Sequence, residues 1–481
     1  MLDNHRKKIV FVSGHFNILH PGHLRLLRAA KEYGDRLIVA VESDRLAGAA
    51  ALLPEALRLE GVQSHGLVDE AFIVDDPIDE VIARLRPDVV VKGKEHEARH
   101  NHELAALEQY GGCLVFSSGE TVFSSLDLIR KEFQTFDPRT ISLPTNYFSR
   151  HDINKTKLVG LINSFVKLKI CVIGDLIVDE YITCEPLGMS QEDPTIVVMP
   201  IDSVRFVGGA GIVAAHAAGL GATVEFVSIT GNDATRDYAI EELSVAGVKA
   251  QLLIDDSRPT TLKQRYRSKG KSLLRVSHMH QGAISAALQT QILTALEQAM
   301  QDADLLVFSD FNYGCLPQSL VDQLVAMAKA RGVMLAADSQ SSSQVGDISR
   351  FKGMDLITPT EREARISTRN REDGLVVLAE QLRQQATANN VLLKLGEEGL
   401  LIHAGNGKGE DWLTDRVDAL NCAAKDVAGA GDSLLIASSM TLASGGTIWE
   451  AAGLGSLAAA VQVGRVGNTP LRPEELLREL V

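Results

Sequence analysis

The 481-residue chain predicts two α/β domains, each on a largely parallel sheet. Three observations carry this. Short apolar runs alternate with amphipathic stretches of helical period along nearly the whole length. That rhythm breaks once, over 134–150. The chain is also too long for one ordinary hydrophobic core.

Taken in order, KIVFVSG, HLRLLRAAKEYG and DRLIVAVES (8–43) read as strand, helix, strand. EAFIVDD, PIDEVIARLR and PDVVVKG (70–93) repeat the unit, and GCLVFSS followed by SSLDLIRKEF closes the set. Strands without polar alternation are buried on both faces, as in a parallel sheet. The stretch 134–150, with two prolines and several turn formers, reads as a linker. A helix capped by Asp152 or Asn154 follows and feeds a new first strand, KICVIGD. TVEFVSITG, DLLVFSD, VMLAADS, DLITPT and NVLLKLG continue a second, larger sheet. YITCEP to TIVVMPIDSVRFVGG, and TLKQRYRSKGKSLLRVS, alternate polar with apolar residues and read as a small antiparallel lid.

A net charge of −14 argues against nucleic acid or an anionic membrane as the main partner, while leaving room for small anionic substrates in a local basic pocket. The five cysteines (113, 171, 184, 315 and 422) are scattered and never form C-x-x-C, which fits reduced thiols. No signal-peptide pattern or membrane-length apolar run is evident, so a cytoplasmic enzyme is expected.

HFNILHPGH (15–23) directly follows the first strand and opens three readings: a metal site, a phosphate site or a histidine-bearing turn. A metal needs further ligands at suitable spacing, and no carboxylate lies nearby. Turns do collect such residues. A helix start with free N–H groups, Gly22 admitting a ligand to the backbone, and His20 and His23 in or near the first turn suit a phosphate.

The segment resembles the H-x-G-H signature of cytidylyltransferase-like nucleotidyltransferases. Gly14-His15-Phe16-Asn17 with His20-Pro21-Gly22-His23, Ser43-Asp44 after the second strand, Pro87-Asp88 to Lys92-Gly93, and Phe123-Ser124-Ser125 follow the family's motifs in order. The resemblance implies a Rossmann-like nucleotidyltransferase domain over 1–133. Gly14, His15, Phe16, Asn17, Gly22, Ser43, Asp44, Lys92, Gly93, Ser124 and Ser125 would hold the nucleotide, and His20 and His23 would stabilise the α-phosphoryl transition state. Asn17 stands where Asp is usual, and Leu126 where the last Ser/Thr would be. LAGAAALLPEALRLEG lacks a lysine that relatives carry, leaving Arg58 and Arg45 as candidate cations.

DVAGAGDS (426–433) precedes a helical stretch. Gly429, Ala430 and Gly431 would open that helix as an anion hole, and Asp432 would take a proton from a substrate hydroxyl. The turn resembles the signature of the ribokinase family of sugar kinases, whose other motifs also occur in order over 151–481. The resemblance implies a ribokinase-like α/β domain with a small β lid, using Mg2+, ATP and a monovalent cation. It implies substrate contacts from Asp175, Asp179, Gly208, Gly209, Lys263, Arg275 and Asp310. Lys394 and Gly396 would line the nucleotide, and Glu363 would hold Mg2+ through water. Ile212 replaces a usual sugar-binding Asn, Tyr313 a common Lys, Gln340 the Lys of Asp-Pro-Lys, and Ala428 the usual Thr or Ser.

Within that family the likeness is closest to heptose-7-phosphate kinases, and the N-terminal half resembles heptose-1-phosphate adenylyltransferases. The two are known fused, but here the order is reversed. The resemblance therefore implies a homodimer that phosphorylates a sugar or sugar phosphate and transfers a nucleotide from ATP or CTP to the sugar 1-phosphate. Alternatives are a sugar kinase with an inactive nucleotide-binding half, and a non-catalytic sensor or scaffold. HEARH (96–100) matches a zinc-protease motif, but out of context. GGAGIVA (208–214) matches a dinucleotide fingerprint but follows a lid strand, so packing explains it better. His5-Arg6-Lys7-Lys8 reads as a solvated charge cluster.

Overall fold

The computed structural model describes residues 8–17, 19, 21–93, 103–117, 141–193, 195–268, 271–340, 346–405, 412–421 and 423–480. His20, Ser124, Ser125 and the HEARH stretch lie outside the described residues. The chain divides into two compact units, one of Met1–Asp137 and Arg371–Val377, the other of Pro138–Asn370 and Leu378–Val481.

The first unit carries β1 (Ile9–Gly14), β2 (Arg36–Glu42), β3 (Glu70–Val74), β4 (Val89–Gly93) and β5 (Cys113–Ser117). They form a parallel sheet in the order β3-β2-β1-β4-β5. Strand side chains alternate between faces. Val10, Val12, Leu37, Val39, Val41, Val89 and Val91 accordingly share one core with Leu27 and Val62 of helices Pro21–Glu32 and Glu55–Gln63. Phe11, Ile38, Ala40 and Val90 share the opposite core with Val81, Ile82, Ala106 and Leu107 of helices Ile78–Leu85 and Glu103–Glu108. Both faces need apolar cover, so the strands are apolar throughout. The order runs outward from β1 in both directions, so the connections after β1 and β4 diverge and leave a crevice at their carboxyl ends.

The second unit holds β6 (Lys169–Gly174), β7 (Leu176–Met189), β8 (Ile196–Gly209), β9 (Thr223–Thr230), β10 (Lys249–Ile254), β11 (Leu262–Ser268) and β12 (Lys271–His278). It continues with β13 (Leu305–Asp310), β14 (Met334–Ser339), β15 (Leu356–Ile357), β16 (Asn390–Lys394), β17 (Leu400–Gly405) and β18 (Trp412–Val417). The main sheet runs β10-β9-β6-β13-β14-β15-β16-β17-β18, parallel as far as β16 and antiparallel for the last two. The expected lid is a separate four-stranded sheet, β12-β11-β7-β8. Its root is buried and its tip exposed, since β7 passes from core residues such as Val178 to exposed Leu187 and Met189. The GGAGIVA segment enters helix Ala210–Gly219, which is buried throughout its first two turns, as the packing explanation requires. Ile212 belongs to this core.

Two features differ from the sequence expectation. The β17–β18 hairpin extends the sheet where no strands were expected, although LLIHAG and WLTDRV flank a Gly-Asn-Gly turn signal. The described part of the stretch expected as a linker is structured. Ile141 bridges to Asn421, and Thr145–Arg150 is a helix whose Tyr147 and Phe148 enter the second unit's core. Tyr147 donates its hydroxyl to the Trp449 carbonyl at 2.7 Å. His151 stacks on the Trp449 indole at 4.0 Å, and both Arg150 and His151 bind Asp415. Prolines that suggested a break instead precede this helix, with Pro144 at its cap. The following helix, Lys155–Ser164, is capped by Asn154.

Both tryptophans, Trp412 and Trp449, lie in the second unit, so intrinsic tryptophan fluorescence follows that unit alone. Tyr147→Ala is expected to destabilise its unfolding transition by about 3–5 kcal/mol. Tyr147→Phe, which removes only the hydrogen bond, should cost about 1 kcal/mol. Denaturant titration followed by tryptophan emission checks both, and equal transitions for wild type and Tyr147→Ala would mean that the segment is a linker after all.

Candidate active sites

In the first unit, the expected residues gather at the carboxyl ends of β1, β2 and β4. Gly14 and His15 end and follow β1, Ser43 and Asp44 follow β2, and Lys92 and Gly93 end β4. Phe16 turns the chain through a positive φ of 47°, is buried, and packs its ring 5.0 Å from that of His23 at the helix start. Ser43 caps the short helix Asp44–Ala47 and donates its hydroxyl to Asp75. Lys92 bonds Glu103 at 2.7 Å.

Asn17, the departure from Asp, is buried and uses both ends of its amide. Its Nδ2 donates to the Ala50 carbonyl and its Oδ1 accepts from Leu52 N–H, each at 2.7 Å. A carboxylate accepts only, so it would face the Ala50 carbonyl without a donor. The side chain thus pins the segment that lacks the lysine. The two candidate cations do not supply its charge. Arg58 is fully buried and donates to Leu53 O at 2.8 Å, His15 O at 2.7 Å and Asp44 Oδ1 at 2.6 Å, while Arg45 pairs with Asp75. A buried guanidinium must spend its donors on protein acceptors, which here ties the crevice loops together.

In the second unit, Gly429 stands in the left-handed region at φ 75° and caps helix Ala430–Ala443. The N–H groups of that first turn have no intrahelical partners and carry the positive end of the dipole. The turn is braced from outside. Asp426 accepts from Ala428 N–H at 3.1 Å, from the Tyr181 hydroxyl of the lid at 2.9 Å and from Gly467 N–H at 3.2 Å. Buried Gln462 donates to Ala428 O and Gly467 O.

Asp432 is buried one step into the helix and accepts from Gln340 Nε2 at 2.9 Å. Burial first, and then the Asp338 charge, push its pKa up to about 7, with Lys394 pulling the other way. Lys394 Nζ binds Asp338 Oδ2 at 2.8 Å, and a side chain at Gly431 would approach that ammonium to 3.1 Å. Burial also lifts Asp338 to about 6. The lysine thus sits under the glycine turn, in a pocket with more carboxylates than cations. Gln340 was legible only as a missing lysine, and its geometry shows a neutral donor holding the carboxylate.

The expected substrate residues fall into two sets. Asp175 and Asp310 are buried and engaged with their own framework. Asp175 accepts the N–H groups of Phe311, Tyr313 and Cys315, and Asp310 accepts from Asn312 N–H, Ser339 and Arg350. They shape the loop over 311–315. Asp179, Lys263, Arg265 and Arg267 share one lid face, because β11 and β7 pair Lys263 with Asp179 and Arg265 with Tyr181. Gly208 and Gly209 let β8 pass close by: a Cβ on Gly208 would meet Asp179 Oδ2 at 2.4 Å, and one on Gly209 the Asp175 carbonyl at 2.4 Å. Lys263 Nζ lies 5.1 Å from the Tyr313 ring centroid, so the lid brings a cation over the residue where the sequence resemblance implies a lysine. A cavity of about 240 Å³ opens between the lid and the segment 424–427 ahead of the glycine turn, lined by Arg265, Arg267, Arg275 and Lys425 against the carboxylate of Asp426.

Glu363 closes a capping box with Thr360, accepting its N–H at 2.7 Å. Gly396, with φ 64°, turns the chain after Lys394. Among the described residues no three His, Cys, Asp or Glu side chains are placed to chelate a metal directly, and no helix is long and apolar enough to cross a membrane.

Residues 11–109 match the cytidylyltransferase-like family model, and 167–475 match that of the pfkB family carbohydrate kinases. A relative described as "Bifunctional protein HldE" from Desulfatibacillum aliphaticivorans is 30% identical over 323 residues, 66% of this chain and 64% of the relative. Its counterpart from Helicobacter hepaticus is 31% identical over 319 residues, 64% and 63% respectively. The chain therefore spans slightly less than two thirds of these curated relatives. Among solved structures, a carbohydrate kinase from Agrobacterium tumefaciens superposes with a TM-score of 0.51 at 22% identity, covering 65% of this chain and 97% of its own. Arabidopsis thaliana ribokinase with ribose and ATP gives 0.51 at 19%, covering 65% and 98%. At such identities the likeness speaks for the fold alone. The match of the kinase model over well more than half of the sequence, on a fold with this lid and this glycine turn, makes the chain a member of the pfkB family of carbohydrate kinases.

Proposed function

We propose that the chain is a bifunctional sugar-activating enzyme. The second unit phosphorylates a sugar phosphate of the heptose 7-phosphate kind with Mg-ATP. The product is a bisphosphate; once a separate phosphatase has hydrolysed the original phosphate from it, the first unit joins the remaining sugar 1-phosphate to a nucleotide with release of pyrophosphate, giving an NDP-sugar of the ADP-heptose kind. The observation that carries the kinase reading is Asp432, buried at a glycine-opened helix start and held by a neutral donor. Its carboxylate accepts the proton of the attacking hydroxyl, while the N–H groups of the turn and Lys394 face the transferring phosphoryl group. The cationic lid cavity supports an acceptor that already bears a phosphate, with Arg275 among its ligands. The HldE relatives and the cytidylyltransferase-like match support the two-step reading, here with the transferase first in the chain.

Mg2+ fits this site through water rather than by direct chelation. Glu363, a hard oxygen donor, is buried, and its charge reaches Lys394. Bound with ATP, the ion would offset the charge of the β- and γ-phosphates. Whether the transferase takes ATP or CTP is part of the same substrate screen. We further propose a cytoplasmic homodimer paired through the lids. Leu187, Met189, Ile196, Ile201 and Val204 expose apolar surface along β7 and β8, which a second lid would cover.

Three outcomes test this reading. Asp432→Asn should lower kcat for sugar phosphorylation about 10²–10⁴-fold. Wild-type kcat should rise about tenfold per pH unit below pH ~7 and level off above it, because the base acts only when ionised and its pKa is lifted to about 7. A panel including heptose 7-phosphate, followed by ADP release, decides both; an unchanged Asp432→Asn rate would sink the kinase assignment. For the first unit, His23→Ala should reduce pyrophosphate release from nucleoside triphosphate and sugar 1-phosphate about 10²–10³-fold. Absence of release by the wild-type chain would leave a kinase with a nucleotide-binding partner unit.

A further inference from the structure

The crevice of the first unit is expected to hold a polyphosphate, yet among the described residues Arg45, Arg58 and Lys92 are each paired within the protein. Arg58 is buried on Leu53, His15 and Asp44; Arg45 pairs with Asp75; Lys92 pairs with Glu103. His15 stands differently. Its Nδ1 is buried 3.1 Å from Glu42 Oε2, an ion-pair contact outside hydrogen-bond geometry, yet the side chain as a whole is 43% exposed, so the rest of the ring opens toward solvent.

The pairing follows from the strand register. Gly14 pairs with Val41, so the residues next along β1 and β2, His15 and Glu42, come side by side at the carboxyl edge. Glu42 raises the His15 pKa above its ordinary value, against burial and against the nearby Arg58 guanidinium from helix Glu55–Gln63. The contact in turn holds Glu42 below the usual carboxylate range, helped by Arg58 and by Lys92 of β4. A carboxylate this close to one ring nitrogen favours the cationic form of an imidazole.

We propose that His15 is the phosphate-binding cation of this crevice, with Glu42 as its positioning residue and Nε2–H as the donor to a polyphosphate oxygen. The inference rests on the nucleotidyl-transfer reading and adds its charge source. No bond is made or broken in this step, and the imidazolium keeps its proton. Polyphosphate affinity must therefore fall as pH rises through the raised His15 pKa, and loss of Glu42 must move that fall to lower pH.

The test uses the full chain, titrated calorimetrically with inorganic pyrophosphate at about pH 6 and about pH 8.5, beside pyrophosphate release from ATP and from CTP. Wild type should bind at least about tenfold more tightly at the lower pH. His15→Gln should bind at both pH values as weakly as wild type does at the higher. Glu42→Gln, an isosteric change that keeps the packing, should retain binding at low pH and shift the midpoint downward. Thermal unfolding checks that both variants fold. His15→Gln with wild-type affinity and pH dependence would overturn the proposal. If wild type binds as expected but releases no pyrophosphate, the transfer reading falls and the His15 assignment stands. If His15→Gln releases pyrophosphate with wild-type KM at both pH values, the reverse holds.

Discussion

A parallel sheet covered on both faces leaves only its strand ends and its edges to water, and every other feature of each unit follows from that constraint. In the first unit two apolar layers sandwich the strands, so polar side chains have nowhere to sit except beyond the carboxyl ends, where His15, Ser43, Asp44 and Lys92 all lie. In the second, Asp310, Asp338 and Lys394 occur at or next to the ends of β13, β14 and β16. Right-handed crossovers deliver each helix start to the same end, so glycine-opened turns and charged side chains converge without long loops.

Crowding charges at a dry edge is costly unless each is partnered. The second unit meets this by sorting its carboxylates. Asp175 and Asp310 are saturated by backbone N–H groups, Ser339 and Arg350, and so act as scaffolding. Asp338 takes Lys394. Among the described residues Asp432 is left with a single neutral donor, Gln340, which stabilises its charge far less than an ammonium would. Burial then lifts it toward neutrality, where a carboxylate is a useful base. Burial lifts Asp175 and Asp338 as well, to about 6, so what sets the candidate base Asp432 apart is that its oxygens are not claimed by the backbone or by a cation among the described residues.

That difference marks the limit of what could be read without coordinates. Most strands, the lid and the glycine turn were legible, because apolar periodicity and short turn motifs are local properties. The helix Thr145–Arg150 was missed because its prolines and polar residues look like a linker, while the contacts that hold it, Trp449 and Asp415, lie about 300 residues away in sequence at most. Asp175 looked like a sugar ligand because nothing in GDLIVDEY announces that a loop over 311–315 will claim both of its oxygens. The His15–Glu42 contact depends on register between two strands, which a single motif does not carry.

The departures from family pattern also bear on whether the sites have decayed. A decaying site loses side chains without replacement. Here Asn17 makes two bonds at 2.7 Å, one of which an aspartate could not make. Tyr313, in place of lysine, is covered by the Lys263 ammonium from the lid. Gln340, also in place of lysine, binds the candidate base directly. These three changes are each paired with a partner that suits the new residue, as side chains under selection for a working geometry would be, whereas the lysine missing from the first unit's crevice is not replaced by Arg45 or Arg58. Matched replacement at these positions argues against an inert scaffold in the second unit, because a surface released from catalysis has no reason to keep a buried carboxylate beside a donor that fits it.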